Sequence, residues 1–353
     1  MDSIRSQNRQ VQFYVEAVDG TERRLVRRML TLPPRLISFK VDKFELWTFS
    51  IIMGSLLSCP ELRSLHLTGQ YYSAAFLDIM LEEDDRLPPI QELVLRNYYW
   101  DHSRYTSINF WNWTKVTHLE LQDVCVTRFL STVTPEHLVQ LRTFMLEPRC
   151  LDTKERKLAS VMILNLLLKV HALEKLYLKC HLSVVFGGII KHGSSLRSLE
   201  LRDFRGPGSK EFCALSIDCV EAVGRSCPNL MELGMEVHFK ANEGRANALH
   251  IVDTAITEMR NLRRLTLYTS TYQLNLPSAQ NRDSFYHLDT AVRGWLHWFL
   301  GSKKGAEFEI IILKLRVEGG KATGDCIVPA SVGMAWTYKN GKGIGLPAID
   351  CRL

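Results

Sequence analysis

The sequence repeats one short spacing of apolar residues along most of its length. An apolar residue at position i is followed by two more at i+3 and i+5, as in Leu62, Leu65 and Leu67. The spacing begins ten times, at Leu36, Leu62, Ile90, Val116, Leu141, Leu173, Leu196, Leu230, Leu262 and Ile310. Successive starts lie 26, 28, 26, 25, 32, 23, 34, 32 and 48 residues apart. The chain is therefore built from a repeated unit rather than around one irregular core.

The repeated spacing predicts one short β-strand per unit. Alternate side chains of a strand point to the same face, so residues i+3 and i+5 point together into the interior. Helical spacing separates the strands, in the segments 44–58, 158–168, 184–192, 215–226 and 249–259. One unit cannot bury its apolar face alone, whereas stacked units share a continuous core. We therefore predict an α/β leucine-rich-repeat solenoid, an irregular horseshoe or arc with parallel strands on the concave face and helices on the convex face.

The pattern also divides the chain into three regions. Residues 1–35 read as an N-terminal cap, with strand-like alternation from Val11 to Val15 and a basic amphipathic helix at 21–30. Residues 36–318 hold the repeats and include an amphipathic helix at 284–300 that would cover the last open unit. Residues 319–353 are glycine-rich and read as a flexible tail, with short strands near 327–332.

Composition favours a protein of the cytoplasm or nucleus. The apolar fraction of 46% and the charged fraction of 23% are those of a globular chain, and no stretch is long enough to span a membrane. The start of the chain lacks the apolar segment of a secretory signal. Nine cysteines without a CxxC pair suit a reducing compartment, and Cys59 and Cys227, at equivalent repeat positions, predict buried thiols. A net charge of +6 is too small to favour a nucleic-acid partner.

The motif search favours a non-catalytic protein. The sequence contains no HExxH zinc motif, no GxSxG nucleophile motif and no dinucleotide-binding fingerprint after a strand. The eleven histidines are scattered, and the acidic run at 82–85 reads as a solvated segment. We therefore expect no enzyme activity, no catalytic or metal-binding residues and no cofactor.

The predicted concave face provides the main candidate binding surface. Residues i+2 and i+4 of each unit point away from the core, and acids occupy the middle of this ladder at Glu92, Glu120, Glu200 and Glu232. Basic residues lie toward both ends, so a basic segment of a partner protein could lie along the middle. The candidate contact residues are His66, His118, Glu120, Lys175, Tyr177, Glu200, Glu232 and Arg264.

A second candidate surface is the aromatic-rich connection 97–113. Its rings would form a partner-binding hot spot if they were exposed, because tyrosine and tryptophan dominate such sites. Packing of the same rings into an irregular repeat is the alternative, and it is favoured because so much exposed aromatic area promotes aggregation. The candidate contact residues here are Tyr98, Tyr99, Trp100 and Tyr105.

The chain resembles the leucine-rich-repeat region of fungal F-box-type proteins over roughly residues 30–318. The resemblance is carried by the CPxLxxLxL phrase at 59–67, repeated as CPNLMELGM at 227–235, and by FWNWTKVTHLEL at 110–121 and SLRSLELRDF at 195–204. It implies a substrate receptor of a cullin-type ubiquitin ligase, in which the repeats hold the target and an F-box recruits the adaptor. Leu32 and Pro33 are followed at once by a repeat strand, so no F-box is found. A stand-alone protein-binding scaffold without any ligase link is the alternative.

Overall fold

The computed structural model describes residues 10–13, 35–44, 52–69, 85–148, 153–203, 217–236, 259–270, 309–318, 331–339 and 348–350. These residues belong to two compact units, Met1–Leu173 and Glu174–Leu353. None of the helices in the described segments is both long and apolar enough to cross a bilayer.

Unit 1 is a parallel sheet whose strands follow the order of the chain. The strands are β1 (Gln10–Phe13), β2 (Ser38–Phe44), β3 (Ser64–Gly69), β4 (Glu92–Arg96), β5 (His118–Gln122) and β6 (Thr143–Glu147). Helical turns at 52–56 and the helices α1 (Arg104–Asn109), α2 (Val126–Thr132) and α3 (Thr153–Lys169) lie between or after the strands. Short 3-10 turns occupy Trp113–Lys115 and Pro135–Leu138.

Unit 2 begins with the same arrangement. Its parallel strands are β7 (Lys175–Cys180), β8 (Ser198–Asp203), β9 (Glu232–Glu236), β10 (Arg264–Ser270) and β11 (Ile310–Glu318). The helices α4 (Leu182–Lys191) and α5 (Ile217–Ser226) connect β7 to β8 and β8 to β9. Each unit is therefore a stretch of α/β leucine-rich-repeat solenoid, as the sequence predicts.

The predicted register is confirmed at nine of the ten repeat starts, where the strand begins two residues after the start. In β3 and β5 the side chains alternate between buried and half-buried, with Leu65, Leu67, Leu119 and Leu121 fully buried. The core therefore lies on one side of each sheet, against the helices, as the i+3 and i+5 spacing requires.

The tenth start is wrong by two residues. Strand β11 begins at Ile310, and Ile311 pairs with Leu265 and Leu313 with Leu267. The backbone N–H groups of Glu309 and Ile310 both donate to the carbonyl of Arg263, the same pair of bonds that opens earlier repeats such as those at Leu62 and Leu230. The unit therefore starts at position 308. The sequence alone does not give the register here, because the unbroken run from Ile310 to Leu313 places apolar residues on both faces of the strand.

Polar side chains fix the turns at both ends of the strands. Asn97 and Asp123 end β4 and β5 with φ of 50° and 54°, a left-handed conformation that asparagine and aspartate tolerate better than most residues. In unit 2, Asn229 and Asn261 precede the repeat starts, and their side-chain amides donate to the carbonyls of Ser194 and Pro228 at 2.9 Å. These bonds tie each turn to the turn before it.

The segments outside the predicted repeats also contain strands. Strand β1, which lies in the predicted cap, pairs with β2. In the predicted flexible tail, β12 (Ser331–Lys339) and β13 (Ala348–Asp350) extend the sheet of unit 2 by antiparallel pairing with β11 and with each other. The strand is longer and later than the expected 327–332, since its backbone pairs along the whole of β11. The predicted helices at 21–30 and 284–300, and all but the last residue of the one at 249–259, lie outside the described residues, and the bounds of the three predicted regions remain predictions.

Candidate functional site

The sheet of each unit has one face that the helices leave uncovered, which we call the open face. It carries the side chains at i+2, i+4 and i+6 of each repeat, and it corresponds to the predicted concave face. The structure places all eight candidate contact residues of that face there, half-buried or exposed: His66, His118, Glu120, Lys175, Tyr177, Glu200, Glu232 and Arg264. Their contact with a partner remains a prediction.

The acids on the open face of unit 1 are bonded to neighbouring strands. Ser64 Oγ donates to Glu92 Oε2 at 2.8 Å, and His66 Nε2 lies 3.4 Å from Glu92 Oε1. Burial acts to raise the pKa of Glu92, but the Ser64 hydrogen bond and the charges of His66 and His118 together lower this pKa below its ordinary value. Arg96 donates from Nε and Nη2 to Glu120 Oε1 at 2.8 and 2.7 Å.

The acids near the start of the strands in unit 2 are bonded in the same way. Glu232 accepts from Ser198 Oγ at 3.0 Å and from Arg264 Nη1 at 2.9 Å. Arg264 Nε also lies 3.6 Å from Glu309, which accepts from Arg263 Nη1 at 3.1 Å. The acids of the predicted ladder are therefore bonded to side chains of the chain itself, and Glu120 and Glu232 are paired with arginines.

Further along the strands of unit 2 lies a cluster of polar and aromatic residues, which we call the Arg202 cluster. Its members are Tyr177, Glu200, Arg202, Glu236 and Tyr268. Tyr268 Oη donates to Glu200 Oε1 across the intervening strand β9. Burial and the charge of Glu200 raise the pKa of the Tyr268 hydroxyl.

The Tyr268–Glu200 contact depends on Gly234, which lies between them on β9. A Cβ atom at Gly234 would stand 2.6 Å from Cγ of Glu200, closer than atoms can approach. The Glu200 side chain therefore occupies the space that any other residue at position 234 would fill. Glycine is needed here for close approach rather than for backbone freedom.

Arg202 is the central cation of the cluster, with only 21% of its side chain exposed. Its guanidinium stacks on the Tyr268 ring with the Cζ atom 4.5 Å from the ring centre. Arg202 Nη1 donates to Tyr177 Oη at a long 3.5 Å, and Nε lies 3.9 Å from Glu236 Oε1. Because 3.9 Å is too long for a hydrogen bond, the buried Nε has no hydrogen-bond partner among the described residues.

Glu236 lies beside Arg202 and is 4% exposed. Its Oε2 accepts the backbone N–H of Asp203 at 2.8 Å. Burial raises the pKa of Glu236 to about 7, although the Asp203 hydrogen bond and the charge of Arg202 act to lower it. This carboxyl therefore changes charge close to neutral pH.

Arg202, Glu236 and Tyr268 were missed by the sequence reasoning, which followed the ladder only to i+4. All three stand at i+6 of their repeats, after Leu196, Leu230 and Leu262. Continuing the same alternation by one step would have placed them on the open face, but it would not have predicted their contacts.

Tyr98 and Trp100 lie in the core, in the packed arrangement that the sequence favours over an exposed hot spot. Tyr98 is 4% exposed and Trp100 is fully buried, so neither is available to a partner at the surface. The ring of Trp100 lies between 4.5 and 6.2 Å from the rings of Tyr98, His102, Trp111, Trp113 and Phe129. Its Nε1 donates to Thr132 Oγ1 at 2.9 Å, which satisfies the indole in the core.

The other two aromatic candidates have different outcomes. Tyr99 is half-buried, its hydroxyl accepts from Arg128 Nη1 at 2.7 Å, and its ring lies 5.1 Å from the Arg128 guanidinium. Its contact with a partner remains a prediction. The side chain of Tyr105 lies outside the described residues.

Two further groups of residues bear on chemistry. Cys59 and Cys227 are buried thiols outside any disulfide, as predicted, and burial raises the pKa of Cys227 to about 11. Within the described segments, no three histidine, cysteine or acidic side chains are grouped so that they could hold a metal ion.

Comparison with known proteins adds little to this description. No protein-family model matches the chain, and no curated protein is similar to it in sequence. Among solved structures, the chain is similar to the leucine-rich-repeat-containing protein LegL7 from Legionella pneumophila, with 13% identity and a TM-score of 0.42. The match covers 86% of this chain and 91% of that one. The likeness is too distant to support an argument, so the fold assignment rests on strand order and register.

Proposed function

We propose that this chain is a non-catalytic protein-binding scaffold and that the open faces of its units receive the partner. The observation that carries the proposal is the lateral bonding of the open-face side chains. Ser64, Arg96, Ser198 and Arg264 each hold an acid on a neighbouring strand. Side chains that are already fixed lose little entropy on binding, so such a face is pre-organised for a partner.

The chemistry of the open faces favours protein over nucleic acid as the partner. Nucleic-acid binding depends on unpaired lysine and arginine side chains that neutralise phosphates. Here Arg96 and Arg264 are engaged by Glu120 and Glu232, and acids alternate with bases on both faces. A mixed face of half-buried polar side chains is typical of the polar part of a protein–protein interface.

A finer form of the proposal is that the chain is the substrate receptor of a cullin-type ubiquitin ligase. Its support is the CPxLxxLxL phrase at 59–67 and 227–235. The alternative is a stand-alone scaffold with the same open faces and no adaptor. The two forms differ in what binds residues 1–35, since an adaptor would need a site outside the repeats.

Photo-cross-linking in cells that express the chain tests the proposal. A photoreactive amino acid is placed on the open face of each unit, at Thr143 or Lys175, and in matched controls on the exposed helix side, at Lys157 or Lys191. We expect one partner protein to be cross-linked from Thr143 or Lys175 and not from the control positions. Cross-linking of the same partner mainly from Lys157 or Lys191 would contradict the proposal. A cullin and its adaptor in the captured material, lost when residues 1–35 are deleted, would support the ligase form.

A further inference from the structure

The Arg202 guanidinium, on the open face of unit 2, has hydrogen-bond donors that the described part of the chain does not use. A guanidinium carries five N–H donors, and Arg202 uses one in the long 3.5 Å contact with Tyr177 Oη. Its Nε is buried without a hydrogen-bond partner among the described residues, and the closest carboxylate oxygen stands 3.9 Å away. A charged group with unused donors gains free energy from an acceptor that can reach it, and 21% of the Arg202 side chain is exposed.

The acids nearby cannot be rearranged cheaply to serve Arg202. Glu200 is held by Tyr268, and Glu232 is held by Ser198 and Arg264. Glu236 is fixed by the backbone N–H of Asp203 at 2.8 Å. Lys175, on the same face, is exposed and has no ionic partner among the described residues. Charge complementarity therefore favours an anionic ligand, the opposite of the basic segment that the sequence ladder suggests.

The geometry around Arg202 suits one kind of anion. Stacking on the Tyr268 ring and the contact with Tyr177 hold the guanidinium plane in place. A guanidinium fixed in one plane binds carboxylates through two parallel hydrogen bonds. We propose that the open face of unit 2 binds an acidic segment of a partner protein, with one carboxylate held by Arg202 between Tyr177 and Tyr268. This inference rests on the proposed function and names the partner's chemistry.

Glu236 makes this binding depend on pH. The titratable groups that face Glu236 are Arg202 and Asp203 on β8 and Lys179 on β7. Tyr268, which bears a hydroxyl, is its register partner on β10. When Glu236 is ionised it competes for Arg202 and repels an incoming carboxylate. When it is protonated, which its pKa of about 7 allows below neutral pH, Arg202 is left to the ligand. Affinity for an acidic segment should therefore rise as the pH falls through neutrality.

Peptide binding by the purified full chain tests the inference. The probes are three fluorescein-labelled peptides of equal length, in which serine alternates with glutamate, glutamine or lysine. We expect the glutamate peptide to bind most tightly, and more tightly below neutral pH than above it. Arg202→Gln should weaken its binding about tenfold, the loss expected for one charged hydrogen-bonding contact. Lys175→Glu, at an exposed site where the fold should be unaffected, should also weaken it.

Arg225→Gln is the matched control, because Arg225 is an exposed arginine on α5 that pairs with Glu221 instead of the open face. It should leave binding unchanged. Arg202→Lys, which keeps the charge without the planar fork, should bind with intermediate affinity. Equal binding by the wild type and both Arg202 variants, or preference for the lysine peptide, would overturn the inference. If cross-links still form from Thr143 or Lys175 in that case, the proposed function stands and only the acidic partner is wrong.

Discussion

Replacing Trp100 by alanine is expected to lower the free energy of unfolding by about 4 kcal/mol, the middle of the usual range for removal of a buried aromatic side chain. Trp100 is fully buried among five other rings in unit 1, and its indole N–H bonds Thr132. Alanine would leave a large cavity that those rings cannot all close, and Thr132 would lose its donor. Urea unfolding followed by far-ultraviolet circular dichroism measures the change without relying on tryptophan fluorescence.

Tyr99→Ala is the matched control, since Tyr99 is the neighbouring aromatic residue but is half-buried. Its contacts with Arg128 are exposed, so its loss should cost about 1 kcal/mol or less. Equal effects of the two substitutions would mean that the Trp100 side chain is not in the core, and the aromatic connection would again be a candidate partner surface.

Glu236→Gln is expected to stabilise the protein at alkaline pH and to have little effect at acidic pH. In the folded protein the pKa of Glu236 is raised to about 7 from an ordinary value of 4.5. Protonation therefore favours the folded state. The contribution of Glu236 to stability is complete below the unfolded value and is lost as the pH rises through the folded value. The full loss is about 3 kcal/mol, at about 1.4 kcal/mol per pKa unit.

The measurement is urea unfolding of the wild type and the variant at about pH 5 and about pH 8, where most of this difference should appear. Glutamine can still accept the Asp203 N–H but carries no buried charge. Glu61→Gln, at an exposed carboxyl before β3, is the control and should change stability little at either pH. A variant that is less stable than the wild type at both pH values would contradict this expectation. It would show that the attraction between the ionised Glu236 carboxylate and Arg202 exceeds the free-energy cost of burying that carboxylate.

The sequence predicts the fold well because the core of each repeat is defined by local spacing. Leu65 and Leu67, or Leu199 and Leu201, must point the same way in a strand, and both pairs are buried. The repeat start predicted at Ile310 was wrong because the local spacing there is uninformative. Four consecutive apolar residues carry no alternation, and only pairing with β10 fixes which of them face the core.

The candidate site was only partly predictable, because alternation gives the face of a side chain but not its partner. Sequence reasoning placed Glu200 and Glu232 on the open face but treated them as free charges. Their bonds to Tyr268 and Arg264 cross strands that are 68 and 32 residues apart in the chain. The burial of Trp100 was likewise open, since the connection that holds it has no periodicity from which a buried side could be read.

Hydroxyl-radical footprinting, with and without the partner identified by cross-linking, tests the central claim most directly. In the free chain, Met145 and Tyr177 on the open faces should be oxidised, whereas Phe144, Leu146, Leu176 and Leu178, which alternate with them, should not. In the complex, Met145 or Tyr177 should become protected, while Leu158 and Val161, each 55% exposed on α3, should keep their rate. Protection of Leu158 and Val161 with no change at Met145 and Tyr177 would place the partner on the helix side and contradict the account.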